Sequence, residues 1–253
     1  MSLGEAWDSG DRHEESGNCS IKARIHAIGY LPQQGVWFLE LMPEQPVDYK
    51  AGQYIDIAFN GLEPRSYSLA EAPQDDGRLI VHIKRGPGEV SQHMWRRARV
   101  NDIVHVSEAK GDNVYDPADQ RPILAVAGGS GFTPLKAIID EALRSNHTKP
   151  VWFFWGTRTE EEQYYKPYFK ALEAKHPNFH FVSVVGGNVG DVAAAKFKNL
   201  SDFKIHICGP QGMINGTIAA VLRKGASPDS IWYDGKKGDS EPPPPPGPGF
   251  GPS

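Results

Sequence analysis

The sequence predicts two domains, an antiparallel β-barrel followed by an α/β domain with a doubly wound parallel sheet. Three observations predict it. At 253 residues the chain exceeds one typical domain and has room for two of roughly 100–120 residues. Ahead of Pro117–Pro122, short β-branched segments alternate with breaks rich in Gly, Pro, Asn and Asp. Beyond that boundary, continuous apolar strands alternate with helix-length stretches.

The barrel strands come first. Ile21, Ala23, Ile25 and Ala27 point to one face and Lys22, Arg24 and His26 to the other, the period-2 pattern of a half-buried strand. VWFLELM (36–42), QYIDIAF (53–59), RLIVHIK (78–84) and DIVHVS (102–107) follow. Short strands at this spacing form an antiparallel sandwich or barrel. A short helix is expected in QHMWRRA (92–98). Next come the strands ILAVA (123–127), VWFFW (151–155), FHFVSVV (179–185) and IHIC (205–208), with helices expected over 133–145, 160–175, 191–200 and 211–223. This alternation implies a parallel sheet covered on both faces. Right-handed crossovers line up the strand C-terminal ends along one edge, where ligands bind.

The resulting division is a disordered leader (1–18), a barrel domain (19–118), an α/β domain (119–235) and a disordered proline-rich tail (236–253). Five consecutive prolines in the tail favour polyproline II, which cannot join a sheet; a docking segment for a proline-binding partner is the other reading. A net charge of -4 without a lysine/arginine block argues against nucleic acid as partner. No apolar run reaches the roughly 18 residues of a membrane span. The first twenty residues are polar and acidic, unlike a signal peptide. A cytoplasmic protein is expected. Two cysteines, Cys19 and Cys208, are too few for a disulfide framework or a plant-type iron–sulfur cluster, and nine scattered histidines show no paired ligand spacing. No metal site is expected.

Three strand ends carry glycine. ILAVA runs into Gly128-Gly129-Ser130-Gly131, with a helix expected to open at Thr133-Pro134, Thr133 as its N-cap. VWFFW runs into Gly156-Thr157-Arg158, and IHIC into Gly209-Pro210-Gln211-Gly212. Glycines let a backbone approach a phosphate, and a helix N-terminus offers free N–H groups. Alone, the first turn fits a tight βα connection as well as a pyrophosphate site. Arg158 can pair with ribose or phosphate, or be a solvated loop arginine. Cys208 can be functional or a small buried core residue.

In the barrel, Arg65-Ser66-Tyr67-Ser68 stands out. Alternation sets Arg65, Tyr67 and Leu69 on one face of an extended chain and Ser66 and Ser68 on the other. Arginine holds diphosphate through forked hydrogen bonds, tyrosine offers a flat face and serine a hydroxyl. An ordinary edge strand would look the same. Lys84 closes the strand before Arg85-Gly86-Pro87-Gly88-Glu89-Val90-Ser91, which reads as a phosphate cradle or as a turn with a serine cap.

In this order, RSYS, the Gly88–Ser91 turn, AGGSGFTP and CGPQGM resemble the motifs of the ferredoxin–NADP reductase superfamily. The likeness is nearest to reductase components of bacterial oxygenases and to NAD(P)H-flavin reductases, and it covers roughly residues 20–235. It implies a flavin-binding barrel and a nicotinamide dinucleotide-binding α/β domain. By this likeness Tyr67 stacks on the flavin, Arg65 pairs with its phosphate and Ser68 sits by N5, with Ser66 and Lys84 in the same site. Gly88, Val90 and Ser91 hold the diphosphate. Gly128, Gly129, Gly131, Thr133 and Arg158 hold the dinucleotide, while Cys208, Gly209 and Pro210 flank the nicotinamide. Ser68 and Cys208 are the residues expected nearest the reacting atoms.

The implied reaction is hydride transfer from NADH or NADPH to bound FAD, FMN being the lesser alternative. The electrons then pass to a separate ferredoxin, oxygenase or other acceptor. A reductase of free flavin and a non-catalytic nucleotide sensor are the other readings. Arg158 favours the extra phosphate of NADPH, but Glu160-Glu161-Glu162 would repel it, which favours NADH. The chain departs from the pattern in lacking cysteines for a fused iron–sulfur domain. It also follows Ile231-Trp232-Tyr233-Asp234 with Gly235 and Lys236, where many relatives place an aromatic residue.

Overall fold

The structure is a computed structural model that describes residues 19–59 and 61–233. The expected leader and proline-rich tail lie outside the described residues. The first sheet contains β1 (Ile21–Leu31), β2 (Val36–Pro43), β3 (Tyr54–Ala58), β4 (Arg65–Ser68), β5 (Leu79–Lys84) and β6 (Ile103–Val106). Its order is β4-β3-β6-β1-β2-β5, with antiparallel pairing throughout. The edge strands β4 and β5 meet where Leu69 bridges Val81 and Ala70 N–H donates to Ile80 O at 2.8 Å. That contact closes the sheet into a barrel and removes its free edges.

In β1, Ile21, Ala23 and Ile25 are buried and Lys22, Arg24 and His26 exposed. Ala27 departs from the expected inward set, because the register shifts between Ile25 and Ala27. A bulge there ends the alternation. The barrel interior is filled by Ile25, Leu39, Leu41, Ile55, Ile57, Leu69, Val81 and Val106. Helix α1 (Glu89–Arg96) begins earlier than its sequence signal suggests, because Val90 and Met94 are buried in this core.

The second sheet is built from β7 (Ile123–Gly128), β8 (Val151–Thr157), β9 (Phe179–Val185), β10 (Lys204–Cys208) and β11 (Ile231–Tyr233). Its order is β11-β10-β7-β8-β9, all parallel. Helices α2 (Phe132–Arg144) and α3 (Lys166–Lys175) bury Leu135, Ile138, Ile139 and Phe169 with Ala125, Ala127, Phe153 and Trp155. Helices α4 (Val189–Ala195) and α5 (Gln211–Leu222) bury Val189, Ile214, Ile218 and Val221 with the alternate strand residues Leu124, Val126 and Phe154. Two separate apolar clusters, each fed by alternate residues of the same strands, are the doubly wound arrangement.

Two helices differ from expectation. The segment 160–165 stays outside α3. Gln163 is buried there, with its amide donating to Trp155 O at 2.8 Å and accepting from the Ser183 hydroxyl at 2.6 Å. Helix α4 starts at Val189 because the Asn188 side chain caps it, accepting from Gly190 and Asp191 N–H. Strand β11, which carries little length signal, extends the sheet beside β10.

The two domains share a polar and aromatic seam. Lys136 of α2 is buried and bonds Asp140 at 2.8 Å and, from the barrel side, Glu71 and the Ala70 carbonyl at 3.4 Å. His82 of β5 packs among Phe38, Phe132, Tyr164 and Tyr165. Among the described residues, no helix is long and apolar enough to cross a membrane, and no His/Cys/Asp/Glu group is gathered for a metal ion.

Candidate active site

The chain leaves β7 toward β8 and β9 on one side, and later crosses to β10 on the other. The crevice at this switch point is where an open α/β sheet takes its ligand. It holds a cleft of about 870 Å³. The three glycine-bearing turns read from the sequence all reach it, through Gly128, Gly129 and Gly131, through Gly156, and through Gly209 and Gly212. A fourth joins them at the end of β9, Gly186-Gly187-Asn188. Its signal was present in the sequence, since FHFVSVV also runs into glycine.

The first turn shows why glycine is needed. A Cβ at Gly131 would sit 2.4 Å from the Cys208 carbonyl oxygen, so the turn lies directly on the end of β10. Gly129 adopts φ +54°, and a Cβ there would meet nothing within 4 Å. That open side faces the cleft beside the start of α2, where the free N–H groups of a helix N-terminus can take an anion. Thr133 is not the N-cap of α2. The helix begins at Phe132, whose ring is buried 4.4 Å from Trp155, and Gly131 occupies the cap position without a side-chain bond. Thr133 is instead buried inside the first turn, where its hydroxyl donates to Ser130 O at 2.9 Å.

The barrel contributes Ser68 and Lys84 to the same cleft. Lys84 Nζ lies 3.7 Å from Glu162, whose carboxylate also stands 3.7 Å from the Arg158 guanidinium and accepts the Arg158 backbone N–H at 3.0 Å. Burial pushes the Glu162 carboxyl up, but the Arg158 N–H and the two cations outweigh it and hold it below the usual range. Arg158 itself is 86% exposed. Glu162 is therefore a cleft residue in its own right and not only one charge of the acidic run Glu160-Glu161-Glu162.

The remaining RSYS residues lie along β4. Arg65 is exposed, and no carboxylate among the described residues pairs with it. Ser66 donates its hydroxyl to Asp56 at 2.5 Å, across the Asp56–Ser66 register of β3 and β4. Burial raises the Asp56 carboxyl, but the Lys110 ammonium and the Ser66 hydroxyl outweigh it and keep it ionised. Tyr67 is half-buried against the barrel core; burial pushes its phenol up to about 12, against the pull of Arg65.

In the turn between β5 and α1, Gly86 and Gly88 have open space where a Cβ would stand. Ser91 is not the cap of α1. It is buried in the helix's first turn, where its hydroxyl accepts Gly86 N–H at 2.8 Å and closes the loop from within. Val90 anchors that turn in the barrel core.

Cys208 ends β10 fully buried, and its sulfur accepts from Asn113 Nδ2 at 3.3 Å. Asn113 Oδ1 lies 2.7 Å from His206 Nδ1. Burial, then Lys204, pushes His206 down to about 3, so its imidazole is neutral. Of the expected residues, Ser68, Lys84, Gly128, Gly129, Gly131, Arg158, Gly209 and Pro210 thus share one cleft. Arg65, Ser66 and Tyr67 lie on its neighbouring strand, Gly88, Val90 and Ser91 form a separate turn, and Thr133 and Cys208 are buried.

Comparison with known proteins fits this geometry. A family model described as an oxidoreductase FAD-binding domain matches residues 35–115, and one described as an oxidoreductase NAD-binding domain matches residues 125–218. The NAD(P)H-flavin reductase of Vibrio harveyi is 31% identical over 185 residues, covering 67% of this chain and 78% of that protein. The CDP-6-deoxy-L-threo-D-glycero-4-hexulose-3-dehydrase reductase of Yersinia pestis is 28% identical over 78% of this chain, which spans only 62% of that protein's length. The structure of the Amycolatopsis cytochrome P450 reductase GcoB superposes with a TM-score of 0.78 at 25% identity, over 85% of this chain and 68% of that one. The chain belongs to the ferredoxin–NADP reductase superfamily of oxidoreductases, with an FAD-binding barrel ahead of an NAD-binding α/β domain.

Proposed function

We propose that the chain takes hydride from a nicotinamide dinucleotide onto bound FAD and passes the electrons to a separate acceptor. The observation that carries this reading is the shared cleft. Ser68 and Lys84 from the barrel and the glycine turns from the α/β domain line one continuous space, so groups held by the two domains meet there. When bound, FAD supplies the hydride-accepting ring and the capacity to release electrons singly.

The chain's own work is holding and aligning. Arg65, unpaired with any described carboxylate, is the cation for the FAD phosphate, and Tyr67 offers an uncharged aromatic face beside it. Ser66 ties this strand to Asp56 and so keeps Arg65 and Tyr67 in register. Ser68 supplies a hydroxyl at the cleft wall. Gly88 and the Gly86 side of the turn leave room for a diphosphate; Ser91 and Val90 hold the turn in shape.

On the opposite wall, Gly128, Gly129 and Gly131 take the dinucleotide pyrophosphate, with Thr133 bracing the turn from inside. Gly209 and Pro210 border the nicotinamide, and Cys208 supports them from the core through its bond with Asn113. No general base is needed for the hydride step, and His206 is fully buried and does not line the cleft. The Glu162 carboxylate on the cleft wall favours NADH over NADPH. The use of reduced nicotinamide fits a cytoplasmic protein.

The acceptor is read as a separate redox protein, a ferredoxin or an oxygenase. Two of the similar proteins are named as reductases of another protein, a cytochrome P450 and a dehydrase. One observation favours free flavin instead: 31% identity to a protein named NAD(P)H-flavin reductase. An absorption spectrum of the purified protein before and after anaerobic NADH separates these. Yellow protein, bleached by NADH and reducing cytochrome c only with an added carrier, is the expected result. Colourless protein with saturable turnover of FMN or riboflavin would establish the flavin-reductase reading. Nucleotide binding without any flavin reduction would overturn both.

A further inference from the structure

The Gly129–Gly131 turn is held from behind by a side chain that does not reach the cleft. Trp155 of β8 is fully buried, and its indole Nε1–H donates to the Gly129 carbonyl at 2.8 Å. Its ring lies 4.4 Å from Phe132 and 5.9 Å from Phe169. Packing on both sides fixes the rotamer, so the N–H has one direction in which to point.

The consequence follows from peptide geometry. A trans peptide is planar, and its C=O and N–H point opposite ways. The described residues contain no cis bond. With the Gly129 carbonyl held on the Trp155 indole, trans geometry turns the Ser130 N–H away from that indole, and Ser130 lines the cleft. Gly129, at φ +54°, is the residue whose backbone could most readily rotate out of this arrangement. A rotated peptide would present a carbonyl oxygen to the cleft, the opposite polarity to the one an anion needs. Thr133 holds the next carbonyl, that of Ser130, in the same manner.

We propose that Trp155 is a positioning residue for the pyrophosphate of the nicotinamide dinucleotide. Its indole N–H sets the Gly129–Ser130 peptide so that an amide donor, not a carbonyl, faces the anion. The inference rests on the reading of this cleft as the dinucleotide site. It assigns the tryptophan an effect on donors that carry a pyrophosphate and none on the dihydronicotinamide ring itself.

The test uses the FAD-loaded full chain and two hydride donors. NADH carries the pyrophosphate, whereas 1-benzyl-1,4-dihydronicotinamide carries the same reacting ring without phosphate. Trp155→Phe keeps a ring against Phe132 and removes the donor. Because a smaller ring also leaves a void, a second variant carries 3-benzothienyl-L-alanine at position 155, which replaces N–H by sulfur in a ring of the same shape. In both, KM for NADH should rise roughly 3- to 10-fold, the worth of one neutral hydrogen bond. The NADH kcat should change less than about twofold, and FAD content and turnover of the benzyl donor should stay at wild-type values. An unchanged KM for NADH in the benzothienyl variant overturns the proposal, as does equal loss with both donors. Wild-type protein that oxidises the benzyl donor but not NADH would overturn the dinucleotide reading of the cleft, and this inference with it.

Discussion

Replacing Gly131 with alanine tests the closest approach in the candidate site. The backbone there is ordinary, at φ -63° and ψ -6°, so alanine introduces no dihedral strain. The whole effect is steric. The added carbon would lie 2.4 Å from the Cys208 carbonyl oxygen and 2.7 Å from Gly209 N. The shorter contact falls about 0.6 Å inside the 3.0 Å below which Cβ atoms are essentially never found. Both obstructing atoms are backbone, so no side chain can swing aside. The turn must lift off β10, or the β10 end must give way. Overpacking of this kind costs about 1–3 kcal/mol, which for a protein of this size lowers the melting temperature by about 2–10 °C. The functional loss should be larger, because the displaced groups are those proposed to align the dinucleotide, and a displacement near 1 Å can cost about 100-fold in rate. Stopped-flow bleaching of the flavin by NADH under anaerobic conditions, with thermal denaturation in parallel, measures both. A variant that melts within 1 °C or so of wild type and is reduced at the same rate would refute the packing argument.

Three further outcomes are expected. Arg65→Ala should weaken FAD retention by about 10- to 100-fold, the worth of a charge-assisted bond to phosphate. Nicotinamide affinity should change far less, and equal losses in equilibrium dialysis of FAD and NADH titration would count against the assignment. Glu162→Gln removes a carboxylate from the cleft wall while its amide oxygen can still accept the Arg158 N–H. The kcat/KM ratio of NADPH to NADH should rise by roughly 5-fold, about 1 kcal/mol of relieved like-charge repulsion, and an unchanged ratio would remove Glu162 from cofactor choice. Burial, helped by Lys136, pushes His82 down to about 3, so the folded protein keeps this imidazole neutral while the unfolded chain protonates it near pH 6.5. Its contribution to stability is therefore full above pH 6.5 and is lost as pH falls from there toward 3, with a slope of about 1.4 kcal/mol per pH unit. Urea midpoints between pH 7.5 and 5 should fall less steeply for His82→Phe than for wild type, and identical slopes would show that His82 does not drive the acid limb.

What the sequence made legible was local. RSYS, the turn ending at Ser91 and the four strand-end glycine turns each carry their signal within a few residues, because the strand, its stop and the start of the next element are adjacent in the chain. The departures from expectation have tertiary causes. Thr133 and Ser91 look like caps by residue type, yet both are carried into the first turn of their helices. The burial of Phe132 and Val90 decides where those helices begin. The helix expected over 160–175 failed in its first part because Gln163 bonds the backbone of β8, a partner set by the sheet and not by neighbouring sequence.

The seam between the domains was illegible for a different reason. A hydride passes only between atoms held about 3–3.5 Å apart, so two domains that bind separate cofactors must keep a fixed spacing. Nothing in either cofactor motif encodes that spacing. It rests on contacts such as Lys136 with Glu71, 65 residues apart, and Asn113 with His206, 93 apart. On a helical wheel Lys136 is an ordinary solvated lysine of α2; in the fold it is buried, with acceptors from both domains. Removing one partner of such a buried charge is costly, about 3–5 kcal/mol, and here the cost would fall on the spacing between the domains as well as on stability. On the proposed function the seam is therefore as much a part of the reaction geometry as the residues lining the cleft, and it reaches the dinucleotide motifs directly where Asn113 bonds the Cys208 sulfur and His82 packs on Phe132.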